Sequence, residues 1–238
     1  MNTEQLIVLQ VIAHLLADYT FQTDKYAKEK NNMGFKSPFL KWHILIVFLT
    51  SWILSFQLSF LSGAITIATL HFLTDGLKVY LINSNIFRKY AYPIDQTLHL
   101  LIIIIVVILF DRIIGIEPFF HLAFGLRSLV IIAAYLLCSK PANIIIKEVL
   151  LFFDIQIRKR ENITDDLPNA GKLIGILERW LVLTFILINQ FEAVGFLIAA
   201  KSILRFKDDD TVKTEYVLIG TMLSFAIAIC CGIIINLL

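Results

Sequence analysis

Residues 98–110 read LHLLIIIIVVILF, a run of thirteen residues in which His99 is the only polar side chain. Comparable apolar runs recur along the chain, and residues 216–238 form another of them. A helix that crosses a membrane needs about 20 predominantly apolar residues. The 238-residue chain therefore has room for about six to eight crossings joined by short loops.

The overall composition supports the same interpretation. Hydrophobic residues make up 58% of the chain, charged residues make up 17%, and the mean hydropathy is +0.79. A soluble domain carries about 25% charged residues, so this chain has too little polar surface to cover its apolar side chains in water. The composition excludes a water-soluble enzyme. The net charge of +2 also gives no reason to expect nucleic acid as a partner, whereas membrane lipid is expected to surround the helices.

The apolar stretches predict an all-α fold, a polytopic transmembrane helical bundle. Their periodicity predicts helices at residues 5–22, 38–58, 60–82, 93–114, 122–138, 172–190, 191–206 and 216–238. One alternative is a single helix over residues 172–206, which would place Lys172, Arg179 and Lys201 on one face as part of a basic stripe.

The middle of the chain differs in composition from both ends. Residues 141–160 mix apolar clusters with charges and end in a basic tract, which is typical of an amphipathic helix lying on the inner leaflet. A poorly hydrophobic span is the alternative. Residues 161–171, ENITDDLPNAG, read as a soluble linker. We therefore predict three segments: an N-terminal bundle (1–138), a cytoplasmic interfacial helix with its linker (139–171), and C-terminal transmembrane helices (172–238).

The distribution of basic residues predicts the orientation. Residues 23–41 contain five lysines, residues 83–92 contain Arg88 and Lys89, and residues 140–160 contain five bases. Short loops rich in lysine and arginine stay on the cytoplasmic side, so these three connections are predicted to be cytoplasmic. The N-terminus is then expected outside.

Histidines and aspartates are paired at helical spacing in the N-terminal half. Four of the five histidines lie within the first 99 residues, and three of them have an aspartate four positions away. The pairs are His14 with Asp18, His71 with Asp75, and His99 with Asp95. Residues four apart lie about 6 Å from each other on one helix face, so both can reach the same ion. The fifth histidine, His121, has no such partner.

The position of each pair along its helix brings the pairs to one side of the membrane. Because successive helices alternate in direction, these residues should all lie about 3 to 18 Å below the cytoplasmic face at 1.5 Å per residue. Each charge in hydrocarbon costs about 2.5 kcal/mol or more, so a shared partner is expected. We predict that this partner is a metal ion bound by residues from four helices: His14, Asp18, His43, His71, Asp75, Asp95 and His99. The alternative is that these side chains only hydrogen-bond one another between helices.

The donor set indicates the kind of metal. Imidazoles and carboxylates without a thiolate suit zinc, manganese or iron. Seven groups exceed the ligands of one catalytic ion, so either two ions bind or some residues orient ligands or accept protons. Lys78, three residues after Asp75, could neutralise a phosphate or the developing charge of a transition state, or it could extend from a helix end to water.

These residues carry a resemblance to a known family. The segments HLLADYTFQTDKYAKEK (14–30), KWH (41–43), HFLTDGLK (71–78) and DQTLHL (95–100) resemble DUF3307, a family of the bacterial inner membrane. The likeness covers about residues 5–115 and implies a multi-pass protein of the inner, cytoplasmic membrane. The family brings no established activity. More loosely, the pattern is similar to that of membrane-bound metal-dependent hydrolases.

Together these observations lead us to expect a metal-dependent hydrolase of a lipid-borne or membrane-proximal ester, amide or phosphoester. The histidines and one or two aspartates would hold one or two ions, and a remaining aspartate, Asp75 or Asp95, would accept the proton. An ion or proton-coupled transporter is the alternative, and a non-catalytic partner protein is a third. The bias of the site to one face and the lack of glycine or proline breaks in its helices favour the hydrolase.

Overall fold

The computed structural model describes residues 1–119, 125–155, 170–205 and 211–238, and the regular structure in these ranges is entirely helical. The all-α class expected from the sequence is confirmed for this part of the chain. The helices are α1 (Thr3–Leu15), α2 (Asp24–Met33), α3 (Pro38–Leu54), α4 (Leu61–Asn83), α5 (Ala91–Ile113), α6 (Leu126–Leu137), α7 (Lys140–Phe152), α8 (Ala170–Leu187), α9 (Phe191–Arg205) and α10 (Thr211–Asn236). His121, the basic end of the predicted interfacial helix and most of the linker at 161–171 lie outside the described residues.

The chain divides into two compact units, Met1–Ala133 and Ala134–Leu238. In the first unit, α1, α3, α4 and α5 form a closed ring, because α3 packs on α4, α4 on α5, and α1 on both α3 and α5. Their shared interior is apolar over much of its length. Leu6, Val47, Ile67 and Val107 belong to this core, and the rings of Phe60 and Phe110 meet edge to face with centroids 4.9 Å apart.

The outward faces of the same helices are also apolar. Trp42 is 67% exposed, Ile53 62% and Ile105 54%, and many other large apolar side chains are exposed on these helices. Large apolar side chains over so much of the outward surface are the reverse of the pattern of a soluble bundle. This surface is suited to contact with lipid.

Three helices of the described residues are long and apolar enough to cross a membrane: Leu58–Asn83, Arg88–Ile113 and Glu215–Asn236. The count rises to five if each of two bent pairs, α1 with α2 and α6 with α7, forms one span. The predicted six to eight spans are therefore not confirmed. The difference has physical causes, since α3 has only 17 residues and α8 carries three charged side chains.

The connection between the first two predicted spans contains a helix of its own. Helix α2 begins where the Thr23 side chain accepts the Tyr26 N–H at 3.4 Å, and its segment is bent by 94° from that of α1. Its end is fitted closely to α4. A Cβ added to Gly34, which has φ of +53°, would lie 2.8 Å from the Gly76 carbonyl oxygen, and one added to Gly76 would lie 2.1 Å from the Phe35 ring.

In the second unit, α8 packs against α10, α7 packs on both of them, and α9 packs on α8. The alternative of one helix over residues 172–206 is wrong, because α8 ends at Leu187, α9 begins at Phe191, and Asn189 between them has φ of +58°. The predicted basic stripe is therefore not continuous. Lys201 instead forms an ion pair with Glu178.

Arg179 of α8 is 1% exposed and donates hydrogen bonds to four oxygens elsewhere in the second unit. Its Nε donates to the Cys138 carbonyl oxygen at 2.7 Å, and its Nη2 donates to the Ser139 carbonyl oxygen at 3.1 Å. Its remaining bonds go to Asn143 Oδ1 at 2.7 Å and Ser224 Oγ at 2.9 Å. The two carbonyls lie at the 54° bend between α6 and α7, where Pro141 provides no N–H. Arg179 therefore satisfies backbone groups that the broken helix leaves free.

We expect Arg179→Met to lower the free energy of unfolding by on the order of 2 to 4 kcal/mol, because two buried and two partly buried acceptors lose their donor. Arg179→Lys should recover little of this loss, since an ammonium cannot reproduce the directions of the guanidinium N–H groups. Thermal unfolding in mild detergent measures both changes. Glu192→Gln at an exposed position of α9 is the control, and equal stability of all three variants would contradict the assignment.

Candidate metal centre

The first ligand candidate lies in an unusual turn. Helix α1 continues into a π-helical turn, Leu16–Thr20, which is closed by the Phe21 N–H bonding to the Leu16 carbonyl oxygen at 2.8 Å. A π turn holds one residue more than an α turn and is frequent at functional sites. Here Asp18, with a side chain only 7% exposed, and its neighbour Tyr19 both point into the unit. Asp18 Oδ1 lies 3.6 Å from His14 Nδ1.

Two histidines and two aspartates from three helical segments converge on one point. His43 Nε2 of α3 and His71 Nε2 of α4 are 3.1 Å apart. Each of these nitrogens lies 3.4 Å from Asp18 Oδ1 and 3.4 Å from Asp75 Oδ2. All four side chains are almost completely removed from solvent.

Most of these separations are similar to those between ligand atoms around a small divalent ion. Zinc binds nitrogen and carboxylate oxygen at about 2.0 to 2.2 Å, so the corners of its tetrahedron lie roughly 3.3 to 3.5 Å apart. Five of the six separations among the four atoms are 3.1 to 3.4 Å. Asp18, His43 and His71 offer ligand atoms that all lie within 4.8 Å of one another, so these three side chains could hold a metal ion, and Asp75 Oδ2 lies 3.4 Å from each of the two histidines.

Buried polar atoms without a hydrogen-bond partner are concentrated around this point. Among the described residues they are His14 Nδ1, Asp18 Oδ1, His43 Nδ1, Asp75 Oδ1, Asp95 Oδ1 and His99 Nδ1, together with Gln57 Nε2 elsewhere in the unit. Each unpaired buried polar group costs about 1 to 3 kcal/mol. Hydrogen bonding among the histidines and aspartates alone leaves these atoms unsatisfied, so the cluster could accept a further polar partner, such as a cation or a water molecule.

The remaining predicted ligands are adjacent. His14, His71 and His99 offer ligand atoms within 4.8 Å of one another, and Asp75, Asp95 and His99 do the same. The rings of His71 and His99 stack with centroids 3.9 Å apart. The structure thus brings all seven predicted ligand residues into one connected cluster inside the first unit.

Two lysines enter the cluster as internal cations. Lys30 Nζ lies 2.6 Å from Asp75 Oδ2, and Lys78 Nζ lies 2.8 Å from Asp95 Oδ2. Lys30 is the buried residue of α2. When the side-chain amide of Gln22 is oriented to satisfy both of its neighbours, its oxygen accepts from Lys30 Nζ at 3.3 Å and its nitrogen donates to the Asp18 carbonyl oxygen. Two of the three carboxylates are therefore charge-compensated without a metal, and Asp18 is left with histidines alone.

Several residues of this cluster were not among the sequence predictions. Lys30 lies in a hydrophilic stretch that offered no periodic signal. Tyr19 donates to Gln96 Oε1 at 2.8 Å, and Thr74 lies 2.6 Å from His99 Nε2. Both residues adjoin predicted ligands in sequence. Their partners lie on helices that are distant in sequence, so local spacing does not reveal these contacts. Gln10 precedes His14 by four residues, and this helical spacing could have indicated it.

A small cavity lies against the cluster. It is lined by His14, His71 and His99 together with Gln10, Ser51 and apolar side chains, and its volume is about 10 Å³. Gln10 donates to the Ser51 carbonyl oxygen at 3.0 Å and accepts from the Ser51 hydroxyl at 2.6 Å. The cavity has room for about one water molecule and is too small for an ester substrate.

The fold and the cluster define a class of protein: an all-helical chain with apolar helices of membrane-spanning length and a buried histidine and aspartate centre that could bind metal. The model of the DUF3307 family, described as a protein of unknown function, matches residues 6–124, which is half of the chain. The chain belongs to this family, and the matched range contains all seven candidate ligands. No curated protein and no solved structure matches the chain.

We expect Lys30→Met to lower the free energy of unfolding of the metal-free protein by about 3 to 5 kcal/mol, because a buried carboxylate loses its cation. Adding Zn²⁺ or Mn²⁺ should reduce this deficit, since a metal ion at Asp75 Oδ2 replaces the ammonium. Thermal unfolding with chelator and with metal measures both effects. Lys28→Met, at an exposed position of the same helix, is the matched control, and equal stability of the two variants would argue against the ion pair.

Proposed function

We propose that this chain is a membrane-spanning, metal-dependent hydrolase that acts on a lipid-borne or membrane-proximal ester, amide or phosphoester. The observation that carries the proposal is the group of Asp18 Oδ1, His43 Nε2, His71 Nε2 and Asp75 Oδ2, with five separations of 3.1 to 3.4 Å. Two imidazoles and two carboxylates suit zinc, manganese or iron. When bound, such an ion polarises a substrate oxygen and lowers the pKa of a coordinated water molecule.

The neighbouring carboxylates supply acid and base groups. Asp75 and Asp95 each form an ion pair with a lysine through Oδ2. In each residue the second oxygen, Oδ1, is buried without a hydrogen-bond partner. Either Oδ1 can accept a proton from water beside the ion. Lys78 also provides positive charge for an anionic substrate group or transition state.

Location in the membrane follows from the surface and the loops. Large apolar side chains on the outside of α3, α4 and α5 fit a lipid environment, which brings a lipid-borne substrate to the helices from the side. We place the cluster near the cytoplasmic face of a bacterial inner membrane, with the N-terminus outside, because the lysine-rich residues 23–41 adjoin the cluster end of the unit.

A transporter is the second candidate, and the small cavity favours it. Gln10 lies one helical turn before His14, and Ser51 lies two turns after His43, so the polar lining extends past the cluster toward the middle of the unit. A permeation site needs access from both sides of the membrane, whereas Leu6, Phe60 and Val107 close the core beyond this cavity with exposures of 0%. The hydrolase therefore remains the preferred proposal.

The first test is elemental analysis of protein purified in mild detergent without added metal. We expect at least about one equivalent of zinc, manganese or iron, and we expect Asp18→Asn and His43→Ala to lose most of it, because each removes one ligand. Asp111→Asn is the matched control, since this carboxylate bonds to Thr3 outside the cluster. Wild-type protein that holds less than about 0.2 equivalent and takes up none on titration would refute the metal centre.

The second test separates hydrolysis from transport. Vesicles containing anionic phospholipids, together with soluble ester and phosphoester probes, are incubated with wild-type protein and with His71→Ala, and products are measured by mass spectrometry. We expect turnover by the wild type only, with no metal or proton flux in wild-type proteoliposomes, because a site closed toward one face cannot conduct. Ion uptake that the wild type shows and His71→Ala lacks would replace the hydrolase with the transporter.

A further inference from the structure

A second group of candidate ligands adjoins the first and shares one residue with it. Asp75, Asp95 and His99 offer ligand atoms within 4.8 Å of one another, and their exposures are 1%, 3% and 2%. Each of the three carries a buried atom without a hydrogen-bond partner: Asp75 Oδ1, Asp95 Oδ1 and His99 Nδ1. These atoms differ from the Asp75 oxygen and the two imidazole nitrogens of the first group.

Hydrogen bonding leaves His99 Nδ1 as a lone-pair donor. The Thr74 hydroxyl lies 2.9 Å from the His71 carbonyl oxygen, which can only accept, so the hydroxyl proton is directed there. The Thr74 oxygen, at 2.6 Å, then accepts from His99 Nε2–H. With the proton on Nε2, Nδ1 carries the free electron pair that metal ligation requires.

His14 is oriented in the same way. The Gln96 amide nitrogen donates to Asp95 Oδ2 at 3.0 Å, which turns the Gln96 oxygen toward His14 Nε2 at 3.2 Å. His14 therefore donates through Nε2, and its Nδ1, which has no hydrogen-bond partner, carries a lone pair. Both imidazoles on this side of the cluster are held in the tautomer that leaves Nδ1 free to ligate.

We propose that a second divalent cation binds at this position, with Asp75 bridging the two ions through Oδ2 and Oδ1, and with Asp95 Oδ1 and His99 Nδ1 as further ligands. The inference rests on the proposed function, because the first ion occupies the group described above. Paired catalytic ions lie about 3.5 to 4 Å apart, a separation that a bridging carboxylate spans. Two ions would together lower the pKa of a water molecule, and Asp75 and Asp95 would then serve as ligands instead of as proton acceptors.

Lys78 competes with the second ion. Its ammonium holds Asp95 Oδ2 at 2.8 Å, and its side chain is 11% exposed, against 4% for Lys30. A cation that arrives beside Asp95 meets this fixed positive charge, which weakens the binding of the second ion. Removing the ammonium should therefore strengthen the second site, whereas removing Asp95 or His99 should abolish it.

The experiment titrates metal-free protein in detergent with Mn²⁺ and counts bound ions by equilibrium dialysis and electron paramagnetic resonance. We expect two ions per wild-type chain, with the low-temperature spectrum of a spin-coupled pair. Asp95→Asn and His99→Ala should bind one ion with an uncoupled spectrum. Lys78→Met should bind the second ion about tenfold more tightly, and Asp111→Asn should behave as the wild type.

The outcomes separate this inference from the function on which it rests. If the wild type binds one ion with an uncoupled spectrum, and Asp95→Asn gives the same result, the second metal site would be refuted and the first would stand. Absence of any bound ion would refute the metal centre itself. Because Lys78→Met is expected to gain affinity, a folding defect cannot imitate its result, and weaker binding of the second ion in this variant would overturn the competition.

Discussion

A carboxylate taken out of water must be matched by a cation or by hydrogen-bond donors, and this requirement organises the first unit. Three aspartates are buried between helices, where histidines and lysines are their neighbours. Asp75 and Asp95 obtain a lysine each, and Asp18 obtains only imidazoles. Three features of the fold are consistent with this need for charge compensation. They are the position of α2, the docking of its end on Gly76, and the mutual packing of α1, α3, α4 and α5.

The second unit contains a buried cation that needs acceptors, whereas the first unit contains buried carboxylates that need cations. Arg179 is a buried cation whose four hydrogen bonds go to neutral oxygens, two of them carbonyls at the break between α6 and α7. Carbonyls at a helix end carry partial negative charge, so they stabilise a guanidinium without an acidic residue. A broken helix and a buried arginine that would each be costly alone thus compensate one another.

Sequence reasoning worked best where the relevant geometry is local. Pairs such as His71 with Asp75 share a helix face by virtue of their spacing, so their common direction could be predicted without tertiary structure. The contribution of Lys30 could not, because it depends on α2 packing against α4, and these two helices are distant in sequence. The end of α8 at Leu187 was also ambiguous, since Asn189 adopts positive φ without a glycine or proline to mark the turn.

The order of the cluster residues along the chain has a consequence for biogenesis. Asp18 and Lys30 are synthesised before α4 and α5, and each later helix adds its own acids: Asp75 with α4, then Asp95 with α5. In a chain inserted into a membrane during translation, Asp18 therefore enters before its histidine partners on α3 and α4, whereas Asp75 arrives when its lysine is already in place. In such a chain the first helix would be the one that depends most on later helices, because Asp18 would have only His14 of its own helix as a partner until α3 and α4 join it.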